Sequence, residues 1–410
     1  MPINVNDLEM PFLNSRVEMK NEDYSREDFF NMARGVAEES WIARSAVGYN
    51  VFHHDDVSAV MRDRRWHSAL GLLADLNPFT TPDFKRRRKT SIIAIDGEEH
   101  NRLKRLLSPR FTPSIADELR PFMRQIVNRL IDDFIDNGEA DIAVDISRQY
   151  PVQIVCHLFG IPEYDLDRFS TWSVDMLRNF DMDYTKSTDA ILQSQKEMDE
   201  YVEGLIALRR SNPQDDLISM LVNAEDNGDV LSNEEIMTLI EALMIAGIDT
   251  TQNQLSTAVS ILIDNPSAWS LLSEDPSNAK FIVEELMRMN GSVSNTGRIA
   301  AEDIEYKGVL FPKGTIMFVN LAIANYDSST FSNPDEFVHN RRELESTHMS
   351  FGAGLHYCLG APIARAELQE ALVVIANRLK NIQRNGETIY KDENSAVYGP
   401  VSLPVTFSKY

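Results

Sequence analysis

Cysteine is scarce in this sequence, with only Cys156 and Cys358 among 410 residues. Two cysteines are too few for a disulfide framework. Long apolar runs are also absent, since no stretch approaches the roughly 18 apolar residues that span a bilayer. The N-terminus MPINVNDLEM lacks the basic start and apolar centre of a targeting segment. These absences predict a soluble, cytoplasmic protein.

Basic residues are outnumbered, because 40 Lys and Arg face 63 Asp and Glu, for a formal net charge of -23. Such a charge repels nucleic acid and anionic membranes, so neither is an expected partner. The run Lys85–Lys89 (KRRRK) departs from this background. A charge run is usually a solvated face, and the alternative is a docking or anionic-substrate patch. We hypothesise that this run meets solvent or a partner.

Helical spacing dominates the apolar pattern, and 43% apolar residues suffice for a large core. No repeat, linker or compositional break divides the sequence. We therefore predict one domain over residues 1–410, predominantly α with small β-sheets (α+β). Helices are predicted at 114–137, 188–210, 232–263 and 277–289, and strands at 304–306, 309–311, 315–320 and 401–407.

The second cysteine lies in the glycine-rich segment FGAGLHYCLG at 351–360, just before a predicted helix. A thiol at a helix start faces free amides and the positive end of the dipole, which favour the thiolate that binds metals. The alternatives are a buried cysteine in a turn and a nucleophile with His356 as base, for which no motif supplies an orienting third group. Zinc is disfavoured without a second cysteine nearby. Cys156, in an apolar stretch, is interpreted as a buried small hydrophobe.

Two further segments carry candidate chemistry. AGIDTT at 246–251 interrupts the long predicted helix with poor helix formers, which indicates either a weak point or a groove offering an acid and an alcohol. Glu285 and Arg288 lie three apart on another helix, where the ordinary interpretation is a surface ion pair.

The pattern Phe-x-x-Gly-x-x-x-Cys-x-Gly resembles the haem-binding signature of the cytochrome P450 family. AGIDTT resembles the family's Ala/Gly-Gly-x-Asp/Glu-Thr motif, and Glu285-x-x-Arg288 resembles its Glu-x-x-Arg. Together with the propionate donors given below, they make four motifs in the family's order that cover residues about 96–370. The resemblance implies the cytochrome P450 fold, with haem b between the long oxygen-binding helix and the Cys-loop helix. It also implies a monooxygenase, an oxidoreductase that incorporates molecular oxygen.

By this resemblance Cys358 is the axial ligand of the haem iron. Phe351 packs beside the haem near the sulfur, and the amides of Leu359 and Gly360 hydrogen-bond the sulfur.

The resemblance also gives roles to the oxygen helix. Gly247 opens a groove for dioxygen, Asp249 feeds protons, and Thr250 delivers the proton that breaks the O–O bond. Thr251 is the less favoured relay.

Four positions match the family's donors to the haem propionates: His100, Lys104, Arg298 and His348. Relatives usually have arginine where Lys104 stands, and a lysine cannot pair with a carboxylate in two parallel bonds.

For the structural Glu285–Arg288 pair, the resemblance implies a third partner, Arg341, with Arg342 as runner-up. ANYDS at 324–328 is a second departure, since relatives usually read Ala-Asn-Arg-Asp.

The substrate pocket is expected from five segments, namely Trp66 to Ile95, residues 170–195, the oxygen helix, the strand after Arg288 and the C-terminal turn. Its candidate lining, mostly apolar with a few hydroxyls, fits a hydrophobic small molecule. The candidates are Ala242, Ile245, Ala246, Val293, Ser294, Thr296 and Val397 or Tyr398.

Electrons are expected from a ferredoxin and its reductase. A small acidic ferredoxin would dock near Cys358 against Arg102, Lys104, Arg105 and Arg110. The alternatives are a peroxide-driven or non-oxygenating haem-thiolate enzyme and a non-enzymatic haem ligand-binding protein. Asp249 and Thr250 argue against the first, and no effector segment supports the second.

Overall fold

The computed structural model describes residues 2–13, 25–76, 81–178, 188–226, 229–341, 345–393 and 395–409. Helices dominate these residues, so the predicted mostly helical class with small sheets is confirmed. The helices are α1 (Arg26–Glu39), α2 (His54–Arg62), α3 (Leu70–Leu76), α4 (Pro82–Thr90), α5 (Gly97–Leu107), α6 (Pro113–Asp132), α7 (Tyr150–Phe159), α8 (Leu166–Leu177), α9 (Thr188–Ser211), α10 (Leu217–Val222), α11 (Asn233–Ile263), α12 (Pro266–Glu274), α13 (Ala279–Met289), α14 (Leu321–Ala324) and α15 (Ala361–Arg378).

The strands are short and form small sheets with the orders β1-β10-β9, β2-β3-β11-β8-β4, β12-β15-β5, β13-β14 and β6-β7. They are β1 (Ile3–Asn4), β2 (Ile42–Arg44), β3 (Tyr49–Val51), β4 (Trp66–Ser68), β5 (Glu139–Asp141), β6 (Glu225–Asp226), β7 (Asp229–Val230), β8 (Thr296–Ala300), β9 (Ile304–Tyr306), β10 (Val309–Phe311), β11 (Ile316–Val319), β12 (Lys380–Arg384), β13 (Ile389–Tyr390), β14 (Pro400–Ser402) and β15 (Pro404–Ser408). In the five-stranded sheet, β11 runs parallel to β3 and antiparallel to β8.

The chain divides into two compact units, although the sequence predicts one domain. Unit 1 comprises Met1–Glu99, Val293–Glu336 and Arg342–Cys358. Unit 2 comprises His100–Ser292, Phe337–Arg341 and Leu359–Tyr410. Folding as a single domain stays a prediction.

The core of unit 1 lies around the five-stranded sheet. Trp66, Phe311 and Met317 are buried in one apolar cluster. Met61 from α2 and Ala353 from the segment before Cys358 belong to the same cluster. The residues leading to the cysteine are therefore anchored in the core of this unit.

Helix α11 organises unit 2. It begins at a capping box in which the Ser232 and Glu235 side chains each bond the other residue's backbone amide. Helices α7, α8, α13 and α15 pack against it, so most of its side chains are buried. A helix enclosed in this way must satisfy its polar side chains within the protein.

Helix α6 ends five residues earlier than predicted, at Asp132 instead of residue 137. A single 3-10 turn follows, and Gly138 then adopts a left-handed φ of 71°. Phe134, which lies between the end of the helix and this turn, is also buried, so the apolar pattern continues past the break and the sequence did not reveal it.

The basic run forms the second half of α4, and its solvated-face prediction is wrong for two of the five residues. Arg87 and Arg88 are buried, with exposed fractions of 4% and 8%. Arg86 and Lys89 are exposed, and Lys89 pairs with Asp75 at 2.8 Å. Each residue turns a helix by about 100°, so five consecutive charges cannot all share the solvent face.

Within the described part of the chain, no helix is both long enough and apolar enough to cross a bilayer.

Candidate active site

The cysteine loop of unit 1 is a tight turn fixed by glycine. Gly352 and Gly354 have φ values of 68° and 69°, which favour glycine over other residues. A Cβ on Gly354 would overlap the backbone carbonyl of Met61 at the end of α2. The Cys358 amide donates to the Phe351 carbonyl at 3.0 Å, and the cysteine is partly exposed. The loop thus presents a thiol on a rigid support.

Aromatic rings and an amide brace this loop within unit 1. Phe351 is 9% exposed, and its ring centroid lies 5.8 Å from that of His348. His348 is buried, and its Nδ1 accepts from the Ser350 amide at 3.1 Å. Asn325 accepts from the Met349 amide at 2.6 Å and donates to Ser350 Oγ at 2.9 Å. The structure therefore brings Phe351 and His348 together at the cysteine loop.

In the segment ANYDS, which departs from the family pattern, an arginine from α1 contacts the tyrosine. Tyr326 stands where the resemblance expects arginine, and the Arg34 guanidinium lies 5.0 Å from its ring centroid. Arg34 also forms an ion pair with Asp335 at 2.6 Å. A guanidinium from α1 therefore reaches this segment from outside it.

Arg298 on β8 is a buried cation suited to an anionic ligand. It is 3% exposed, and its Nη1 donates to the Gly297 carbonyl at 2.9 Å and to Thr296 Oγ1 at 3.3 Å. No carboxylate among the described residues lies within ion-pair distance of its guanidinium. Burial lowers the pKa of Arg298, opposed by the charge of Asp96. Arg298 and the partly exposed thiol of Cys358 together fit a group that needs a thiolate ligand and carries carboxylates.

Asp96 and His356 form a pair that sequence reasoning missed. His356 Nε2 lies 2.9 Å from Asp96 Oδ1, and the Ser68 amide donates to Asp96 Oδ2 at 2.9 Å. Burial raises the pKa of Asp96, but these two hydrogen bonds outweigh it and the pKa is lowered. Asp96 therefore orients the His356 ring, a role for which the sequence offered no motif. The signal available was the position of His356 two residues before the cysteine.

The oxygen-helix motif in unit 2 has a buried acid and a partly exposed alcohol. Asp249 is 1% exposed, and both its carboxylate oxygens accept from Lys391 Nζ at 2.7 Å. The Thr250 hydroxyl donates to the Ala246 carbonyl one turn earlier at 2.5 Å, a bond that threonine can form within a helix. Ala246 is exposed between the buried side chains of Ile245 and Ile248. Lys391 was not found from the sequence, because 142 residues separate it from Asp249.

Gly247 faces a neighbouring helix. A Cβ added to it would come within 3.0 Å of Val155 Cγ2 on α7. Close packing of α11 on α7 is therefore a structural reason for glycine here, beside the groove that the resemblance implies.

Thr251 differs from Thr250 in its partner. Its hydroxyl lies 3.4 Å from an oxygen of Glu367 on α15, and both residues are buried. Desolvation raises the pKa of Glu367 to about 8, against the hydrogen bond from Thr251. The Tyr150 hydroxyl donates to the Glu367 backbone carbonyl at 3.1 Å. Glu367 was also missed, since a glutamate in an amphipathic helix gives no sign of burial.

The Glu285–Arg288 pair is a buried triad instead of a surface ion pair. Arg288 Nε lies 2.8 Å from one Glu285 oxygen, and Arg341 Nε lies 3.0 and 3.2 Å from both. The exposed fractions are 2–3%. Arg342 lies outside the described residues. The structure thus brings together the three residues implied by the resemblance, with Arg341 as the third partner.

The predicted propionate donors of α5 differ in exposure. His100 is buried and Lys104 is partly exposed, and Ser108 Oγ donates to the Lys104 carbonyl. Two of the predicted docking cations are already matched with carboxylates, since Arg102 pairs with Glu235 and Arg110 with Asp215.

The predicted pocket residues fall into two sets. Unit 2 holds Ala242, Ile245, Ala246 and Val397, of which all but Ala246 are buried. Unit 1 holds Val293, Ser294 and Thr296. Ser294 Oγ accepts from Arg26 Nη2 at 2.7 Å. Residues 77–80 and 179–187 of the expected pocket segments lie outside the described residues.

Comparison with known proteins identifies the family. The cytochrome P450 profile matches residues 49–276 and 279–402. Cytochrome P450 CYP107DY1 of Priestia megaterium is 33% identical over 373 residues, 86% of this chain and 88% of the relative. Mycinamicin IV hydroxylase/epoxidase of Micromonospora griseorubida is 34% identical over 375 residues, 90% of each chain. The structure of the bacillaene polyketide synthase cytochrome P450 PksS of Bacillus subtilis has a TM-score of 0.83 and 31% identity, covering 93% of this chain and 97% of that one. The chain therefore belongs to the cytochrome P450 family and is a haem-thiolate monooxygenase.

Proposed function

We propose that this chain binds haem b through Cys358 and inserts one oxygen atom of dioxygen into a hydrophobic small molecule, by C–H hydroxylation. A ferredoxin and its reductase supply the electrons. The observation that carries the proposal is the rigid glycine loop presenting Cys358 in the same unit as Arg298, a buried cation without a carboxylate among the described residues. The cytoplasmic location stays a prediction.

The haem, when bound, supplies the oxygen-activating chemistry. Cys358 is the thiolate ligand, and Phe351 shields one side of the loop from solvent because its ring is nearly buried. Arg298, His348, His100 and Lys104 would hold the two propionates. Among these, Arg298 has the strongest support. Burying a guanidinium without a carboxylate partner is costly, and a bound propionate would lower that cost by forming charged hydrogen bonds.

Asp249 and Thr250 on α11 handle protons. The Thr250 hydroxyl has one proton, which Ala246 O accepts in this structure. To donate elsewhere the hydroxyl must rotate away from that carbonyl, and its partly exposed position leaves room to do so. Asp249 is buried one residue earlier, and the acceptor positions that Lys391 leaves open on its two oxygens can take part in the relay.

Apolar side chains support a hydrophobic substrate. Ala242, Ile245 and Val397 are apolar, and Ser294 and Thr296 add sparse hydroxyls, both engaged with arginines. Relatives bear names such as luteothin monooxygenase and vitamin D(3) 25-hydroxylase. These names support oxygenation of small organic molecules, without specifying the substrate of this chain.

Ion pairs within the chain affect the surface proposed to dock the ferredoxin. Arg102 and Arg110 have carboxylate partners, which reduces their contribution to attraction of an acidic protein. All four predicted docking cations, Arg102, Lys104, Arg105 and Arg110, remain in the proposal.

A two-stage experiment tests the proposal. A ligand library is screened for the spin-state change that accompanies displacement of iron-bound water, and the hits are turned over with ferredoxin, reductase and isotopically labelled dioxygen. We expect one labelled oxygen atom in the product. Product without label, or turnover that occurs only with added peroxide, would contradict the proposal.

Thr250→Val and Thr251→Val provide a matched pair for the relay. Thr250→Val should lower the product formed per electron consumed, while Thr251→Val, whose hydroxyl faces Glu367, should leave that ratio near the wild-type value.

A further inference from the structure

Lys391 pairs with Asp249, the buried acid of the oxygen helix. Its Nζ lies 2.7 Å from both oxygens of Asp249. The Asp249 side chain is 1% exposed and the Lys391 side chain 18%. An unpaired carboxylate at this depth would be costly, so the ammonium compensates a charge that solvent cannot reach.

The main chain places Lys391 firmly, which distinguishes it from a mobile surface lysine. Lys391 follows β13, and its amide donates to the Gly399 carbonyl at 3.1 Å. A Cβ on Gly399 would lie 2.8 Å from Asn253 Cβ, one turn beyond Asp249, so only glycine allows this approach to α11. The rings of Tyr390 and Tyr398 stack with centroids 5.5 Å apart and planes at 10°. The hairpin thus delivers the lysine to one point of the helix.

We propose that Lys391 is a positioning residue for proton delivery, holding the Asp249 carboxylate in the orientation and charge state from which it acts. The inference rests on the proposed function of Asp249. A carboxylate offers about four acceptor positions on its two oxygens, and the ammonium occupies one on each. The remaining positions can accept a proton for the relay while the pair stays intact. Without the cation, the buried carboxylate would lose its compensating charge and would turn toward other donors.

Charge is the property that matters in this account, so the conservative variant is informative. Lys391→Met removes the cation and keeps much of the side-chain volume. Lys391→Arg keeps the cation and can contact both carboxylate oxygens. Lys409→Met is the matched control, because Lys409 forms an exposed pair with Asp136 in the same unit.

The first measurement is the fraction of electrons that appear in product instead of peroxide. We expect about a tenfold fall for Lys391→Met, equal to about 1.4 kcal/mol, with substrate binding by spin-state titration unchanged. Lys391→Arg should recover at least half of the wild-type fraction, and Lys409→Met should match the wild type. An unchanged fraction in Lys391→Met, or an arginine variant as impaired as the methionine variant, would overturn the inference.

The second measurement needs no turnover. The Tm of the holoenzyme is compared among wild type, Lys391→Met, Asp249→Asn and the double variant. We expect Lys391→Met to lower the Tm by several degrees, and Asp249→Asn to restore part of that loss in the double variant, because no unpaired buried charge remains. Additive Tm changes would show that the two residues are uncoupled and would overturn the inference.

The two proposals fail in distinguishable ways. The proposed function would be refuted if the reduced, carbon-monoxide-bound wild type lacked the spectrum of a thiolate-ligated haem. A normal spectrum with an unchanged electron fraction in Lys391→Met would refute only the role of Lys391.

Discussion

Replacing Glu367 with glutamine should stabilise the protein at neutral pH. Glu367 is 3% exposed on α15, and Thr251 is the side chain that donates to it, at the long distance of 3.4 Å. Desolvation raises its pKa from 4.5 to about 8, so the folded protein keeps this carboxyl protonated at pH 7. Glutamine has nearly the same shape as the protonated acid, and its amide does not ionise.

The magnitude follows from proton linkage. The unfolded chain releases this proton above pH 4.5, while the folded chain holds it until about pH 8. Within that window the folded state binds more protons, so stability falls as the pH rises. Each pH unit contributes about 1.4 kcal/mol, which gives about 3 kcal/mol at pH 7. The Glu367→Gln variant escapes this loss, and its advantage should vanish at pH 4.5.

The assay is guanidinium unfolding of the holoenzyme at pH 5, 6, 7 and 8. The difference in free energy of unfolding between Glu367→Gln and wild type should grow with pH. Glu370→Gln is the control on the same helix, because Arg120 and Arg124 hold its carboxylate at 2.9 and 2.7 Å. That variant should be less stable than wild type. A Glu367→Gln advantage that is constant with pH, or absent at pH 8, would refute the reasoning.

Three further predictions concern the structural framework. Glu285→Gln leaves two buried arginines without their carboxylate and should cost about 3–5 kcal/mol, measured by denaturant unfolding. Unchanged stability would contradict a buried triad. Arg298→Ala should speed haem transfer to an acceptor apoprotein about tenfold or more, and an unchanged rate would remove it from the propionate donors. Gly354→Ala should cost more than the about 1 kcal/mol expected for left-handed backbone alone, because its Cβ meets Met61. The control Gly308→Ala, with φ 74° and open space, should show only that smaller loss.

The parts of the site that could be predicted from the sequence are those whose residues lie close together along the chain. The glycines, Phe351 and Cys358 lie within eight residues, and local geometry alone requires glycine in that turn. The long helix from 232 was predicted to within one residue because its capping box is also local. Arg341 came from the family resemblance, and the structure places it on Glu285.

Pairs formed across the fold could not be predicted in the same way. Lys391 and Asp249 are 142 residues apart, and Asp96 and His356 are 260 apart. Nothing in either segment marks the partner, since these pairings depend on how hairpins and loops pack. The extent to which a side chain is buried is the second property that the sequence does not reveal. It turns Glu367 into an acid with a raised pKa and turns two arginines of the basic run inward.

The absorption spectrum of the reduced, carbon-monoxide-bound protein tests the central claim most directly. We expect the strongly red-shifted Soret band of a thiolate-ligated haem in wild type and in Cys156→Ala, the control for the other cysteine. That control is apt because Cys156 is buried, and burial raises the pKa of its thiol to about 12. Cys358→His should lose the band. A band typical of histidine-ligated haem in active wild-type protein, or a thiolate band that survives in Cys358→His, would contradict Cys358 as the ligand.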